Sequence, residues 1–195
     1  MNFEELKENY STCKKCQELC KSRSQVVFGN GNPHSKIILL GEAPGSTEDK
    51  QGIPFCGMSG QILTQLLSQV GLTREDVFIT NTILCRPEKN RNPNKDEVEN
   101  CRERLDKLIS IMQPEVIVTI GNFATDRIIQ KTGVTSIHGK VFNYNNISVV
   151  PVIHPANYLY SGRNPELFNQ MLEDFKVIAS LVKSKRSQKN LAEFR

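Results

Sequence analysis

Residues 36–70 read KIILLGEAPGSTEDKQGIPFCGMSGQILTQLLSQV. The run Lys36-Ile37-Ile38-Leu39-Leu40 is apolar without alternation, as a strand covered on both faces requires. Ile62, Leu63, Leu66, Leu67 and Val70 then recur at helical spacing. Residues 41–60 connect the two, although strand-to-helix connections usually take only a handful of residues. This long connection is rich in glycine, proline and acids and holds a single aromatic residue, Phe55. A loop of that length between two regular elements points to function.

The alternation continues outward from this stretch. Residues 77–80 form a second candidate strand, followed by a polar loop through Pro93. Asn94 with Glu97 three residues on resembles a capping box, opening a helix to about Met112. Residues 116–120 are a continuous apolar strand ending at Gly121, and a short helix is expected near 122–131. A hairpin over 137–150 leads into a strand at 149–153, and a last helix spans about 166–182. The pattern predicts an α/β fold, a three-layer α/β/α sandwich with a central, mostly parallel sheet. Ligands of such sheets bind beyond the carboxyl ends of the strands. That rule selects Gly41-Glu42, Asn81, Gly121-Asn122 and His154-Pro155.

At 195 residues and 22.0 kDa the chain fits one domain with a substantial core. Hydrophobic and charged contents of 38% and 24% fit a water-soluble globular class, and no apolar run approaches a membrane span. The start, MNFEELKENY, lacks the basic and apolar regions of a secretion signal, so a cytoplasmic protein with no membrane partner is expected. Net charge is +4, all of it in the tail at 183–195, where five basic residues accompany one acid. Residues 1–182 therefore sum to zero, and bulk charge does not announce a nucleic-acid binder. The basic tail reads as a flexible end that can add sequence-independent phosphate affinity.

Six cysteines occur, at 13, 16, 20, 56, 85 and 101. In a cytosolic chain they suggest metal binding or reactive thiols before disulfides. Cys13 and Cys16 form a C-x2-C pair, while Cys101 falls on an apolar helical face with Val98, Leu105, Leu108 and Met112. A buried free cysteine is a common occupant of such a face. Spacing alone favours a four-cysteine metal site, with zinc ahead of iron–sulfur.

Residues 41–60 resemble the first motif of the family four uracil-DNA glycosylases: GEAPG, an acidic pair, then G-x-PF-x-G. Asn81-Thr-Ile-Leu-Cys85-Arg-Pro, then Asn90-Arg91-x-Pro93 and Cys101, is similar to that family's asparagine and second cysteine pair. Ile120-Gly121 with Ala124, and His154-Pro155-Ala156, match its central and closing motifs. The motifs stand in the family's order over most of the chain. Cys56, Ser59 and the long segment 157–165 depart from its usual pattern. The resemblance implies a monomeric base-excision enzyme that hydrolyses the N-glycosidic bond of uracil in single- or double-stranded DNA and releases free uracil. It implies a 4Fe-4S cluster on Cys13, Cys16, Cys85 and Cys101, leaving Cys20 and Cys56 unused. It also implies one domain over 1–182 with an N-terminal cluster-binding segment, and unspecified repair or replication partners.

The expected base pocket comprises Gly41, Glu42, Ala43, Phe55, Asn81 and His154. Its glycosylase chemistry requires a nucleotide rotated out of the stack into a closed site. Gly41 and Gly45 allow close backbone approach, and Phe55 stacks on the ring or belongs to the core. A carboxamide matches uracil's N3–H donor and O4 acceptor at once, which assigns base reading to Asn81; a plain cap or turn is the alternative. In the family's pattern His154 hydrogen-bonds uracil O2 and stabilises the departing anion. Glu42 and His154 are the expected catalytic residues, with Glu42 either positioning water or excluding thymine's methyl. Glu48 and Asp49 read as solvated or capping, and Arg86, Lys89 and Arg91 as phosphate contacts or an exposed basic loop. A non-catalytic DNA-binding or polymerase-associated relative, or a zinc-stabilised nucleotide-binding module, would share much of this pattern.

Overall fold

The structure, a computed structural model, describes residues 1–193, with side chains through residue 184. Among the described residues six strands form one sheet: β1 (Asn30–Gly31), β2 (Ile37–Gly41), β3 (Phe78–Asn81), β4 (Val116–Ile120), β5 (Phe142–Tyr144) and β6 (Ile147–Val152). Their order is β1-β3-β2-β4-β6-β5. The four central strands pair in parallel, and β1 and β5 close the edges antiparallel. The helices are α1 (Phe3–Ser11), α2 (Gln17–Ser22), α3 (Ser46–Gln51), α4 (Met58–Gln69), α5 (Lys95–Met112), α6 (Asn122–Ile129), α7 (Val134–Ile137), α8 (Pro155–Tyr160) and α9 (Pro165–Glu193).

Successive residues of β2 point to opposite faces, and both faces are covered. Ile37 and Leu39 join Leu63, Leu66 and Leu67 of α4 with Met171, Phe175 and Ile178 of α9. Ile38 and Leu40 join Leu6 and Tyr10 of α1 with Leu105 and Leu108 of α5. This double burial explains why the strand sequence shows no polar alternation, and the layers are the expected α/β/α sandwich. The chain leaves β2 for β3 on one side and later enters β4 on the other. Such a reversal opens a crevice at the carboxyl ends of the strands.

Several elements differ from the sequence reading. The 41–60 connection is not all loop, because α3 occupies Ser46–Gln51 and α4 starts at Met58 rather than near 61. Helix α1 opens with a complete Asn2–Glu5 capping box that the motif reading overlooked. Helix α8 follows His154 directly, with Pro155 preset at its first position. The α5 capping box at Asn94 and Glu97 is present as expected, with both bonds at 2.9 Å. The hairpin turn is made by Asn145 and Asn146, both at positive φ, which asparagine tolerates. Helix α9 continues to Glu193, past the expected end near 182. The basic side chains of the tail from 185 to 195 lie outside the described residues.

Candidate active site

The crevice at the strand ends is a cleft of about 730 Å³, lined by Glu42, Ala43, Phe55, Asn81, Gly121 and His154 among others. Glu42 and Ala43 continue from β2, Asn81 ends β3, Gly121 follows β4, and His154 stands two residues beyond β6. Gly41 lies beneath them, because a Cβ there would overlap Asn81 Oδ1 and the Phe55 ring. The residues proposed from sequence for one base pocket therefore do converge.

Asn81 is 1% exposed, and its Oδ1 has no hydrogen-bond partner among the described residues. Buried carbonyl oxygens are nearly always paired, so Asn81 Oδ1 keeps an unused acceptor position beside the cleft. His154 caps α8, and its Nδ1 accepts from Ala156 N–H at 3.1 Å. That bond leaves Nε2 to carry the proton. Burial holds the imidazole down to about 4, so it is neutral near pH 7 and its free ring nitrogen is a donor. Glu42 is half-buried, and burial pushes its carboxyl above the ordinary range.

Phe55 is both a core residue and part of the cleft wall. It is 7% exposed within the α4/α9 core, yet it lines the cleft with its ring centroid 5.9 Å from that of His154. Its φ of 50° lies in the left-handed region that a non-glycine residue rarely adopts. Two contacts hold it there. Arg74 donates to Pro54 O at 2.8 Å and Phe55 O at 3.1 Å, and Gly60 of α4 packs so closely that a Cβ would overlap the Phe55 carbonyl.

The acidic pair of the loop is structural. Glu48 Oε1 accepts from Gly57 N–H at 2.8 Å. Asp49 is 2% exposed rather than solvated, and both its oxygens accept Ser24 N–H at 2.9 Å, tying α3 to the segment after α2. Among the basic residues, Arg91 lines the cleft but donates two bonds to Glu97, at 2.6 and 2.9 Å, while Arg86 Nε donates to Asn90 Oδ1. Arg91 is thus an internal partner of the α5 cap before it is a phosphate contact. Arg74 and Arg104 escaped the motif reading. Arg104 left one legible signal, a charged residue on the apolar face that also carries Cys101, Leu105 and Leu108.

The cysteines form a second locality on the α1/α5 side of the sheet. Cys85 and Cys101 belong to that core, and Cys13 and Cys16 pack against it. Arg23 Nη1 donates to Cys85 Sγ at 2.8 Å, and Asn100 Nδ2 donates to Cys16 Sγ at 3.4 Å. Burial pushes the Cys85 thiol up to about 12, against the opposing pull of Arg23, and also raises Cys16. Among the described residues no three His, Cys, Asp or Glu side chains meet closely enough to hold a single metal ion. Cys56 sits apart from this group, near Glu48 and Arg74 in the loop. No described helix is long and apolar enough to cross a membrane.

Comparison with known proteins agrees with this geometry. Residues 28–176 match the family model of the uracil DNA glycosylase superfamily. The chain is 43% identical to a type-4 uracil-DNA glycosylase of Sulfurisphaera tokodaii, over 92% of this chain and 84% of the relative. It is 37% identical to type-4 uracil-DNA glycosylases of Archaeoglobus fulgidus, over 95% of this chain and 96% of the relative, and of Saccharolobus solfataricus, over 94% and 88%. With its strand-end cleft, its motifs and these relatives in agreement, the chain belongs to the uracil DNA glycosylase superfamily.

Proposed function

We propose that this chain is a uracil-DNA glycosylase of base-excision repair, hydrolysing the N-glycosidic bond of uracil in DNA to leave an abasic site. The observation that carries the reading is the pairing of an orphaned acceptor, Asn81 Oδ1, with a neutral histidine in one cleft. Uracil presents an N3–H to the first and O2 to the second. Cytosine has no N3–H to offer, and a mismatched edge costs about 1–3 kcal/mol. Phe55 supplies the flat face on which the flipped ring rests.

In the reaction the C1′–N1 bond breaks, its electron pair leaves with uracil, and water adds to C1′ and gives up a proton that the departed uracil anion finally takes up. Positive charge grows on the sugar and negative charge on the base. The His154 donor meets the developing charge at O2 and is worth most in the transition state. Because the imidazole is neutral, it can donate without protonating the base outright. Glu42 has two candidate roles beside that bond: positioning the water as a carboxylate, or crowding the C5 side so that thymine is refused.

We further infer that Cys13, Cys16, Cys85 and Cys101 hold a 4Fe-4S cluster. The donor set fits: four thiols packed at one core, with the N–H groups of Arg23 and Asn100 directed at two of the sulfurs. When bound, the cluster supplies iron–thiolate bonds that tie the N-terminal segment to the β3–α5 loop and to α5.

The test is incubation of the iron-loaded protein with an oligonucleotide bearing one uracil. Release of free uracil and an alkali-labile site are expected. Tight binding without uracil release would mean a DNA-binding relative instead.

A further inference from the structure

Helix α5 carries a charged side chain into the core. Arg104 is 0% exposed and heads the fully buried side chains by size. Its Nη2 donates to the main-chain carbonyls of Asn81 at 2.6 Å and Thr82 at 3.0 Å, and its Nη1 to Thr80 Oγ1 at 3.3 Å. Three consecutive residues at the end of β3 are thus held by one guanidinium. All three acceptors are neutral, and Nε has no partner among the described residues. A charge buried on such terms is unfavourable for stability, and an apolar residue would fill the space at less cost. A role beyond packing is called for.

The end of β3 is where that role lies. Among the described residues Asn81 Oδ1 has no partner, so its direction is inherited from the main chain. That main chain is fixed from two sides. Thr82 donates through both N–H, at 2.8 Å, and Oγ1, at 2.9 Å, to Gly41 O, which sets β3 against β2. Arg104 is the second hold: Nη2 takes both carbonyls while Nη1 reaches Thr80 Oγ1, and a single ammonium nitrogen does not reproduce that planar spread of donors. The end of β3 is thus bonded to the sheet through Thr82 and to α5 through Arg104.

We propose that Arg104 is a positioning residue of the base pocket, fixing the main chain at Asn81 and Thr82 so that the Asn81 carboxamide meets the base edge. The proposal rests on Asn81 being the uracil-reading group. It makes α5 serve both localities, since Arg104 lies one turn beyond Cys101 on the same helix face.

The test is a cycle of variants: Arg104→Lys, Arg104→Met, Asn81→Ala and the Arg104→Lys/Asn81→Ala double variant, each checked by thermal melting and by its visible spectrum. Arg104→Lys should lower the single-turnover rate on a uracil oligonucleotide about tenfold to a hundredfold, the range for displaced reacting geometry, with little change in DNA affinity. In the Asn81→Ala background the same change should have almost no further effect. Equal losses in both backgrounds would overturn the proposal, because Arg104 would then act independently of Asn81. Arg104→Met should match or exceed the Lys loss; if it does not fold, Arg104→Lys carries the test alone. Failure of Arg104→Lys to melt cooperatively would also overturn it, since the residue would then hold the core at large. The Asn81 side-chain amide resonance gives a readout independent of turnover. It should move in Arg104→Lys, and an unmoved resonance overturns the clamp. A moved resonance in a protein whose wild type releases no uracil supports the clamp and removes only the glycosylase reading.

Discussion

At the scale of single residues, burial sets the protonation states the chemistry needs. In the proposed reaction His154 donates as a neutral ring and, if Glu42 positions water, Glu42 acts as a carboxylate; acid removes both states. Glu42 titrates first on acidification, because burial raises it while His154 is held down to about 4. If Glu42 works as a carboxylate, the single-turnover rate should fall along an acid limb above the ordinary glutamate value, and Glu42→Gln should be slow with only the lower limb left. If Glu42 only excludes thymine, Glu42→Gln keeps most uracil activity and the limb stays near 4. A limb near 6.5, the ordinary histidine value, that persists in Glu42→Gln would contradict a neutral His154. His154→Ala should lose on the order of a hundredfold to a thousandfold in single-turnover rate with DNA affinity little changed. His154 also links pH to stability. The unfolded chain takes up its proton near 6.5 and the folded chain only near 4, so stability is full above that window and falls across it on acidification. Phe55 makes the complementary point about strain. Its left-handed backbone costs about 1–3 kcal/mol, which Arg74 and Gly60 offset. Arg74→Met should raise the inhibition constant for free uracil about tenfold, a fraction of a full stacking contact. The same change in a Phe55→Leu background should do much less, and equal effects would exclude Phe55 as the route.

At the scale of elements, the proposed cluster is what would join the segment around α2 to α5. Helix α2 is six residues long and contributes only Leu19 as a fully buried side chain, so it has little to hold it alone. Helix α5 brings a complete capping box and a long apolar face. If the four cysteines hold a cluster, its loss should free the N-terminal segment and leave α5 in place. Cys101→Ala should therefore lower iron content and melting temperature well below those of Cys20→Ala. Protein prepared without oxygen should carry about four irons per chain. Stoichiometric zinc without iron or sulfide would refute the cluster.

At the scale of the whole molecule, residues 1–182 are electrically balanced and the positive charge is concentrated at the carboxyl end. Specific base reading and general phosphate attraction would then be carried by different parts of the chain. Replacing Lys185, Arg186 and Lys189 with glutamine should leave the rate on bound DNA unchanged and make the dependence of log affinity on log salt shallower. Each duplex phosphate contact contributes roughly 0.9 to that slope. An unchanged slope would show that the tail takes no part in binding.

Periodicity and punctuation in the sequence determine the layered fold, because both are local. Residues 37–40 are apolar without a break since both sheet faces are covered, and Asn94 with Glu97 begins α5 through bonds that span three residues. The grouping at the strand ends was legible for a related reason: strand ends of a parallel sheet converge, so Glu42, Asn81 and His154 could be placed at one cleft from order, while the roles proposed for them came from the family resemblance. The short elements were not legible. Helices α3 and α8 are single turns or little more, and β1 is two residues, lengths at which neighbours decide the conformation. Nor does any local pattern give a side chain's distant partner. Asp49 reads as a solvated acid until α3 lies against Ser24, and Arg104 reads as a misplaced charge until α5 lies against the end of β3. Their partners are 25 and 23 residues away. Only the packed chain brings such pairs within hydrogen-bond reach, and so only the tertiary structure decided that the acid holds Ser24 and that the guanidinium holds the end of β3.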